Sequence, residues 1–434
     1  MSQEPQSFKS RLKESIKHNP IYTRAIRPLR VKLNKLRESM LSDEAYFLRR
    51  HKKIFGYTPD FRNPKTFNEK IIHRILFDRS PVYTALADKL KARIYIAATL
   101  YPLYENAIRG GAECNASLDS GLDSSAQPTI QALAKLNLLD PSSPLFAPID
   151  TLESTLFATN ICPYLPKLYG IYKSFDEIDF ASLPSSFAIK TNHDCGGVVL
   201  VPNKQDFLRD QARFEDARRK IQQHLATNFY TLFREWHYKD IEPRVFIEEL
   251  LGADSRESST KTFENDDFHN KIAQQKDLDS SSTNADSRVD CHAAAAAVSR
   301  NDSSLDSHPQ PLESTFAYKA PDDYKFHCFN EQIFIQVDTE RFTSHTRTMF
   351  DTEWNALEVV YYYPLPSTTP TKPQNLPTML DIARLLSGGF NFVRVDLYSI
   401  CGAIVVGELT MTPEGGTGHF TPSQWDKKLG DLWH

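Results

Sequence analysis

The sequence predicts an α+β protein built from several domains, and three observations lead to this class. The chain has 434 residues, which is enough for two or three domains. With 40% hydrophobic and 24% charged residues, it has the composition of a globular protein. Short alternating runs occur in adjacent pairs, which is typical of antiparallel hairpins, and amphipathic helical segments lie between these pairs. We therefore expect antiparallel sheets with helices packed against them.

Composition also excludes several functional classes. The net charge of −4 supplies no basic field for a nucleic-acid polymer. No apolar run approaches the roughly 20 residues that span a bilayer, and the N-terminus lacks the apolar core of a secretory signal. The cysteines are scattered without a C-x-x-C pair, so we expect a cytoplasmic protein with neither a zinc site nor a disulfide framework. They are Cys114, Cys162, Cys195, Cys291, Cys328 and Cys401.

Residues 1–60 form a basic region that is predicted to be helical. Leucine and isoleucine recur there at roughly helical spacing among many lysines and arginines, with breaks at Pro20 and Pro28. Such a helix either rests on an anionic membrane surface or a partner, or packs on the protein's own body with a solvated basic face. The second interpretation is favoured. The first leaves peripheral contact with the inner face of the membrane as an alternative.

An N-terminal α/β region is expected at residues 61–186. A Thr-x-x-Glu capping box predicts a helix from Phe67, and a second helix is expected from about residue 82 to residue 96. Lys89 and Arg93 share a face of this second helix because they are four residues apart. They either hold an anion or belong to a solvated surface, and the latter is the more common case.

Two stretches lose hydrophobic periodicity and are rich in serine and aspartate. The first, at about 105–160, is expected to be a loose insertion with one short helix at Ile130–Leu138. The second, residues 253–316, is expected to be disordered. The two insertions leave ordered segments at 187–252 and 317–434.

The segment FAIKTNHDCGGVVLVPN, residues 187–203, reads as two strands joined by a polar loop. Lys190 at a strand end, followed by a loop that ends in Gly196 and Gly197, fits a grip on phosphate groups. The alternative, a glycine hairpin with an exposed lysine, is favoured when this segment is taken alone. His193, Asp194 and Cys195 are interpreted as loop residues, because no spaced partner supports a catalytic Cys–His pair.

The segment RVFIEELLG, residues 244–252, reads as a strand that ends in Glu248 and Glu249. A strand that leads into an apolar hinge can present backbone groups to an adenine edge, and an acidic side chain there can accept from the exocyclic amine. The alternative is a strand end with solvated glutamates.

A hairpin at residues 392–418 carries the residues most suited to a metal. Arg394 and Asp396 share one strand face because they are two residues apart, and Thr410 stands in the same relation to Glu408. If the hairpin turns at Ser399–Gly402, the two carboxylates converge and suit Mg²⁺ with the phosphates that it carries. The following glycine-rich turn, up to Gly418, is expected to be flexible, with N–H groups that face an anion. The alternative is a solvated sheet face.

Another predicted hairpin pairs Tyr324–Phe329 with Gln332–Val337. Charged residues are expected to crowd the ends of its strands. They are Lys325, Asp338, Arg341 and Arg347.

The ordered series of these segments resembles the ATP-grasp fold, in which two α+β subdomains grip a nucleotide, and more closely the TupA-like family of ATP-grasp proteins, named for teichuronopeptide biosynthesis. The resemblance covers most of the chain outside the two insertions. It implies that residues 187–252 are the lid subdomain and that residues 317–434 are the C-terminal subdomain with the metal site. The matching motifs are NPKTFNEK (63–70), ADKLKARIYI (87–96), LPKLYGIYKSFDEIDF (165–180), FAIKTNHDCGG (187–197), FIEELL (246–251), DYKFHCFN (323–330), VDTERF (337–342) and FVRVDLY with GELTMTPEGGTG (392–418).

The resemblance implies ATP and Mg²⁺ as cofactors and gives each candidate residue a role. Asp396 and Glu408 would ligate Mg²⁺, with Thr410 where better-known relatives carry asparagine. Arg394 would stabilise charge on the acyl phosphate. Lys190 with Gly196 and Gly197 would hold phosphates beneath a flexible loop. Glu248, Glu249 and the backbone at Leu250 would hold adenine. Lys325 would bind phosphate or the substrate carboxylate, and the weaker candidates for the acceptor side are Lys89, Arg93 and Arg341.

The implied activity is an ATP-dependent carboxylate–amine ligase with an acyl-phosphate intermediate, acting on a small molecule or glycan precursor in cell-surface polysaccharide or glycopeptide biosynthesis. A glycosyltransferase is the second hypothesis, because some members of the family carry that label. The nearest matches to its Asp-x-Asp motif are imperfect: Asp322 and Asp323 are adjacent, and Glu340 replaces the second aspartate after Asp338. A non-catalytic nucleotide-binding partner is the third hypothesis, suggested by Thr410 and by the heavy loop at 191–197.

Overall fold

The chain forms two compact units, residues 1–60 and residues 61–434. In the first unit, helix α1 spans Asp43–Phe55, begins where Ser42 accepts the Ala45 N–H at 3.3 Å, and ends at Gly56. The rest of the predicted basic region, and with it the predicted membrane contact, lies outside the described residues. No helix that the structure describes is both long and apolar enough to cross a membrane. The computed structural model describes residues 40–105, 125–252, 322–330, 332–340 and 344–434.

Helices and strands of the second unit follow one another without regular alternation. The helices are α2 (Phe67–Phe77), α3 (Pro81–Ala87), α4 (Lys89–Thr99), α5 (Ala126–Leu133), α6 (Glu153–Ala158), α7 (Lys204–Arg209), α8 (Gln211–Leu225), α9 (Phe229–Phe233), α10 (Leu376–Ser387) and α11 (Gln424–Leu432). The strands are β1 (Leu168–Tyr172), β2 (Phe187–Thr191), β3 (Val198–Val201), β4 (Val245–Glu248), β5 (Asp323–Phe329), β6 (Gln332–Thr339), β7 (Thr346–Phe350), β8 (Val360–Tyr361), β9 (Val393–Ile400), β10 (Ala403–Thr410) and β11 (Phe420–Thr421).

The smaller of the two main sheets has the strand order β1-β4-β2-β3, and every neighbouring pair is antiparallel. Side chains alternate between its faces. Ile189 and Ile247, which are fully buried, pack with Phe207 of α7 and Ile221 of α8. The residues that precede or follow them in the strands therefore point to the opposite face.

The larger sheet has the order β10-β9-β5-β6-β7 and is also fully antiparallel. One face is apolar: Phe326, Ile335 and Val395 have no exposed surface and belong to the same core as Met379 and Ile382 of α10. The other face is polar, yet it is buried as well. Its cross-strand neighbours include Asp396, Lys325 and Gln336, which occupy paired positions in β9, β5 and β6.

Three charged residues of this polar face were expected at strand ends. Asp338 and Arg347 lie one residue from the ends of β6 and β7, and Lys325 lies two residues inside β5, but all three are at most 8% exposed. They are tolerated there because each charge meets an opposite charge on a neighbouring strand.

The helical region also differs from its prediction at one point. The helix from Phe67 begins with the expected capping box, but two helices, α3 and α4, replace the single helix predicted from about residue 82 to residue 96. The break is at Asp88, whose carboxylate accepts the Leu90 N–H at 3.0 Å and the Asn192 side-chain amide at 2.9 Å. Because Asp88 caps a new helix, Lys89 stands at the start of α4.

The loose insertion predicted at about 105–160 is wrong for residues 125–160. Helix α5 occupies Ala126–Leu133 instead of the predicted Ile130–Leu138, and α6 follows after two short turns. Leu145 and Leu156 have no exposed surface, since they pack into the main core. Apolar burial therefore orders a segment whose composition looks loose. Residues 106–124, and the insertion predicted at 253–316, lie outside the described residues.

Candidate functional site

A cleft lies between the polar face of the larger sheet and the smaller sheet, with α3 and α4 along one side. The residues that line it come from segments far apart in the sequence. Its charged lining residues among those described are Lys89, Arg93, Lys190, Glu248, Asp323, Lys325, Asp338, Arg347, Arg394, Asp396, Glu408 and Glu414.

On the smaller sheet, one carboxylate meets two cations. Lys190 pairs with Phe246 in register, and Glu248 pairs with Ala188, so both charged residues lie on the face opposite the α8 core. Lys190 Nζ donates to Glu248 Oε1, and Arg93 Nη1 donates to Glu248 Oε2 at 3.2 Å. Burial lowers the pKa of Arg93, and the charge of Glu248 opposes that shift.

The hinge after β4 sends its side chains in different directions. Glu249 does not line the cleft: its carboxylate accepts the Lys167 N–H at 3.3 Å, at the edge of the sheet. The side chain of Leu250 is buried in a cluster with Ala188 and Tyr398, and Leu251 lines the cleft instead. Of the residues predicted to hold adenine, only Glu248 thus reaches the cleft with its side chain.

The loop at residues 191–197, which was expected to be a flexible lid, is hydrogen-bonded to the rest of the unit at several points. Asn192 is fully buried; its side-chain amide donates to Asp88 at 2.9 Å and its side-chain oxygen accepts the Arg244 N–H at 2.7 Å. Asp194 accepts from His224 and Thr191. Its burial would raise the pKa, but His224, Lys89 and Thr191 hold it at about 2. The acidic and bulky residues of this loop are therefore structural, because they face the protein and not the cleft.

Gly196 and Gly197 close this loop and do not line the cleft; their neighbours Cys195 and Val198 do. A side chain at Gly197 would lie 1.8 Å from Thr191 Oγ1, and Gly196 has a φ of 94°. Both positions therefore require glycine for the turn itself.

A β-bulge at Gly407 sets the face on which Glu408 lies. Val406 pairs with Leu397, whereas Glu408 pairs with Asp396, so Gly407 is an extra residue in β10. Without it, strict alternation would turn Glu408 toward the apolar core. With it, Glu408 lies directly across from Asp396, and Thr410 lies across from Arg394.

Asp396 is held by two cations on the floor of the cleft. Arg394 donates to it through Nε at 2.7 Å and Nη2 at 2.8 Å, and Lys325 Nζ donates at 2.6 Å. Burial would raise the pKa of Asp396, but Arg394 and then Lys325 keep it below its ordinary value. Lys325 also pairs with Asp323. Burial would lower the pKa of Lys325, and these two aspartates raise it instead.

The donor set fits Mg²⁺ that arrives with phosphate groups better than it fits an ion held by protein alone. No group of three or more acidic, histidine or cysteine side chains among the described residues could hold a metal. Mg²⁺ commonly takes one or two carboxylates plus phosphate oxygens and water. Asp396 and Glu408 supply such a pair. Thr410 contributes a hydroxyl that already accepts from Arg394 at 3.1 Å.

A further charged corner lies at the β7 side of the cleft; the sequence placed Asp338 and Arg347 near each other but did not assign them, or Glu414, to the site. Arg347 donates to both oxygens of Asp338, at 2.6 and 3.0 Å, and more loosely to Glu414, at 3.3 and 3.4 Å. Tyr361 and Tyr363 face the guanidinium at 5.0 and 4.8 Å.

Glu414 stands in the turn that was expected to be flexible, and this expectation is wrong. A Cβ added at Gly416 would lie 2.6 Å from Ile72 and 2.9 Å from the Asn68 carbonyl oxygen, both in α2. A Cβ added at Gly418 would lie 2.3–2.6 Å from the Tyr361 side chain. The turn is therefore packed against the body of the unit. Glu414 adopts a φ of 52°, which is the left-handed region. The other unplaced candidate, Arg341, lies outside the described residues.

The two antiparallel sheets face each other across a charged cleft. Lys190 lies on the smaller sheet, and Asp396 and Glu408 lie on the larger one. This arrangement is typical of an ATP-grasp protein. Residues 159–265 and 312–434, together more than half of the chain, match the model of the family described as TupA-like ATPgrasp. The chain belongs to this family, and the predicted α+β ATP-grasp class is confirmed. Comparisons with curated proteins and with solved structures gave no match.

Proposed function

We propose that this protein is an ATP-dependent carboxylate–amine ligase that acts on a small molecule or glycan precursor in the synthesis of a cell-surface polysaccharide or glycopeptide. The family supports the link to polysaccharide synthesis and the use of a nucleotide. The observation that carries the proposal is the order of charges along one cleft. A ligase of this kind works where ATP is held, and we therefore propose the cytoplasm as its location.

The end of the cleft nearest α4 suits phosphate groups. Lys89, Arg93 and Lys190 carry three positive charges there, against the negative charge of Glu248 and that of Asp194 behind Lys89. Polyphosphate is the ligand that such an excess of lysine and arginine favours. In this proposal Lys190 binds the nucleotide phosphates, and Glu248 accepts from the nucleoside.

The floor of the cleft suits a divalent cation. Asp323, Asp396 and Glu408 outnumber Lys325 and Arg394 by one charge. Asp396 and Glu408 would hold Mg²⁺, which supplies charge neutralisation at the transferred phosphoryl group. Thr410, whose hydroxyl is a weaker ligand than a carboxylate, is proposed to play a minor part.

The far corner suits the amine. Asp338 and Glu414 together carry one more charge than Arg347, so an ammonium group finds a net negative surface there.

In the reaction, the acceptor carboxylate attacks the terminal phosphorus and ADP leaves; the amine nitrogen then attacks the acyl carbon, loses a proton, and phosphate leaves. Arg394 lies between the two ends and is proposed to stabilise the charge that develops on the acyl oxygen. Lys325 fixes Asp396 in place.

The two other hypotheses gain less from the geometry. Asp338 and Asp323 are ion-paired, as Asp396 is, so pairing alone does not separate the hypotheses. The near matches to an Asp-x-Asp motif are imperfect, because Asp322 and Asp323 are adjacent and Glu340 replaces the second aspartate after Asp338. A non-catalytic binding partner remains compatible with Thr410, and release of ADP separates it from a ligase.

Thermal unfolding of the wild type and of Glu408→Gln, with MgATP and with UDP-sugars, tests the proposal. Ligand at about 100 times its dissociation constant stabilises a fold by roughly 2.7 kcal/mol. We expect MgATP to stabilise the wild type by this order and Glu408→Gln much less. Stabilisation by UDP-sugars but not by MgATP would contradict the proposal.

Glu249→Gln is the matched control. It makes the same chemical change in the same unit, at a carboxylate outside the cleft. Its response to MgATP should equal that of the wild type. Release of ADP on adding candidate acids and amines then distinguishes an enzyme from a partner that only binds the nucleotide.

A further inference from the structure

Arg93 stands out because it reaches the nucleotide end of the cleft from outside the segments that match the family model. Those segments begin at residue 159, whereas Arg93 lies in α4. The side chain is 4% exposed, and it lines the cleft. Its Nε is a buried donor without a hydrogen-bond partner in the part of the chain that the structure describes.

The two cations on Glu248 differ in how firmly they are held. Arg93 is tied at both ends of its guanidinium, to Glu248 at 3.2 Å and to the Pro166 carbonyl at 2.5 Å. Lys190 is 19% exposed and donates only to Glu248 among the described residues. Each cation uses a different carboxylate oxygen. Lys190 can therefore leave while Arg93 stays.

This difference matters because Glu248 is buried. Its side chain is 6% exposed, so ionised carboxylate oxygens there need a partner. If Lys190 turns to a phosphate group, an unaccompanied Glu248 would carry an uncompensated charge in a low-dielectric site. A second, fixed cation removes that penalty.

We propose that Arg93 is a positioning residue that keeps the Glu248 carboxylate paired and in place when Lys190 moves from Glu248 to the nucleotide phosphates. The inference rests on the proposed nucleotide site. It assigns to α4 a part in nucleotide affinity that is exerted through Glu248. It also explains why two cations meet one carboxylate at the end of the cleft where the ligand is an anion.

A double-mutant cycle on ATP affinity tests this role. Arg93→Met should weaken MgATP binding about tenfold, because Lys190 then becomes the only partner of Glu248 and is costly to release. In a Glu248→Gln background the carboxylate charge is gone, so Arg93→Met should change the affinity by less than about twofold. Arg93→Lys, which keeps the charge but cannot span both acceptors, should lie between the wild type and Arg93→Met.

Arg384→Met is the control, since it removes an exposed arginine from α10 and should leave the affinity unchanged. Equal losses from Arg93→Met in both backgrounds would overturn the inference and indicate that Arg93 touches the nucleotide directly. No loss in either background would overturn it as well.

The same cycle separates this inference from the proposed function. If the wild type does not bind MgATP at all, the nucleotide site itself has been misassigned. In that case the coupling of Arg93 and Glu248 in urea unfolding still reports their ion pair. If the wild type binds MgATP and the cycle shows no coupling, only the role of Arg93 fails.

Discussion

Replacement of Gly407 by alanine is the sharpest test of how the fold builds the proposed metal site. Gly407 is the bulge residue that brings Glu408 across from Asp396. A Cβ at this position would lie 2.6 Å from Cε2 of Tyr398 and 3.3 Å from its Cζ. Such a distance forces either the Tyr398 ring or the β10 backbone to move.

The magnitude follows from the crowding. Added methyl groups in a packed site cost about 1–3 kcal/mol, and replacing glycine by alanine returns about 0.4–1 kcal/mol through the unfolded chain. We expect Gly407→Ala to lower the free energy of unfolding by about 1–2 kcal/mol. Tyr398 lines the cleft and packs on Ala188 and Leu250, so its displacement also disturbs the hinge. MgATP affinity should fall about tenfold or more.

Gly402→Ala supplies the comparison within the same hairpin. Gly402 has no atom within 4 Å of an added Cβ, but its φ of 83° penalises any L-residue by roughly 1–2 kcal/mol. Urea unfolding measures both stabilities and isothermal titration calorimetry measures both affinities. The reasoning is supported if both variants lose similar stability but only Gly407→Ala loses affinity for MgATP. It is refuted if Gly407→Ala binds MgATP as the wild type does, or if both variants lose affinity equally.

Three other substitutions probe buried charge and backbone strain. Arg394→Met leaves Asp396 with Lys325 as its remaining cation, so the free energy of unfolding in urea should fall by about 3 kcal/mol. Adding Asp396→Asn to this variant should restore part of that loss. A loss below about 1 kcal/mol would contradict the ion-pair argument. Burial raises the pKa of Asp88 from 3.8 to about 6, so the folded state binds this proton more tightly than the unfolded state does. As the pH rises from 4 to 6, Asp88 should therefore lower the wild-type stability by about 2 kcal/mol relative to Asp88→Asn. Asp88→Asn keeps the acceptor oxygen and should flatten this slope, whereas an unchanged slope would exclude Asp88 as its source. Glu414→Gly should be about 1 kcal/mol more stable than Glu414→Ala, because only glycine adopts a φ of 52° without strain; equal stabilities would show that the turn relaxes.

The sequence was sufficient to predict the hairpins, because alternation and turn residues are local signals. The ATP-grasp class was predicted from the resemblance of the ordered motifs to a known family. It was not sufficient to predict which face of β10 carries Glu408. Strict alternation places Glu408 opposite Val395, and only the bulge at Gly407 moves it opposite Asp396. Glycine in a strand is compatible with a bulge but does not require one. Asp396 and Glu408 were therefore correctly expected to converge, but the prediction did not include the bulge that brings them together.

The buried polar face of the larger sheet shows a second limit. Asp338 and Arg347 are nine residues apart in consecutive strands, so a local hairpin pairs them. Lys325 and Asp396 are buried because long-range pairing of β5 with β9 brings each an opposite charge. That pair spans 71 residues, and the Arg93–Glu248 pair spans 155. No local pattern encodes such partners, whereas apolar periodicity encodes a core.

The described lining of the cleft carries six cationic and six acidic side chains, so its formal charge is zero and nearly every charge already has a partner. In the proposed function, nucleotide binding would exchange one partner for another: Lys190 would leave Glu248, and a metal ion would compete with Arg394 and Lys325 for the Asp396 carboxylate. Such a cleft gives little long-range steering of an anion. The chain as a whole carries a net charge of −4, so it does not attract an anion either. The association rate for MgATP should therefore change by less than about threefold between ~0.05 and ~0.5 M salt in stopped-flow measurements, whereas steered association falls by tenfold or more. A steep decrease would mean that the cations act together as a field, and that the local pairs seen in the cleft do not set the affinity.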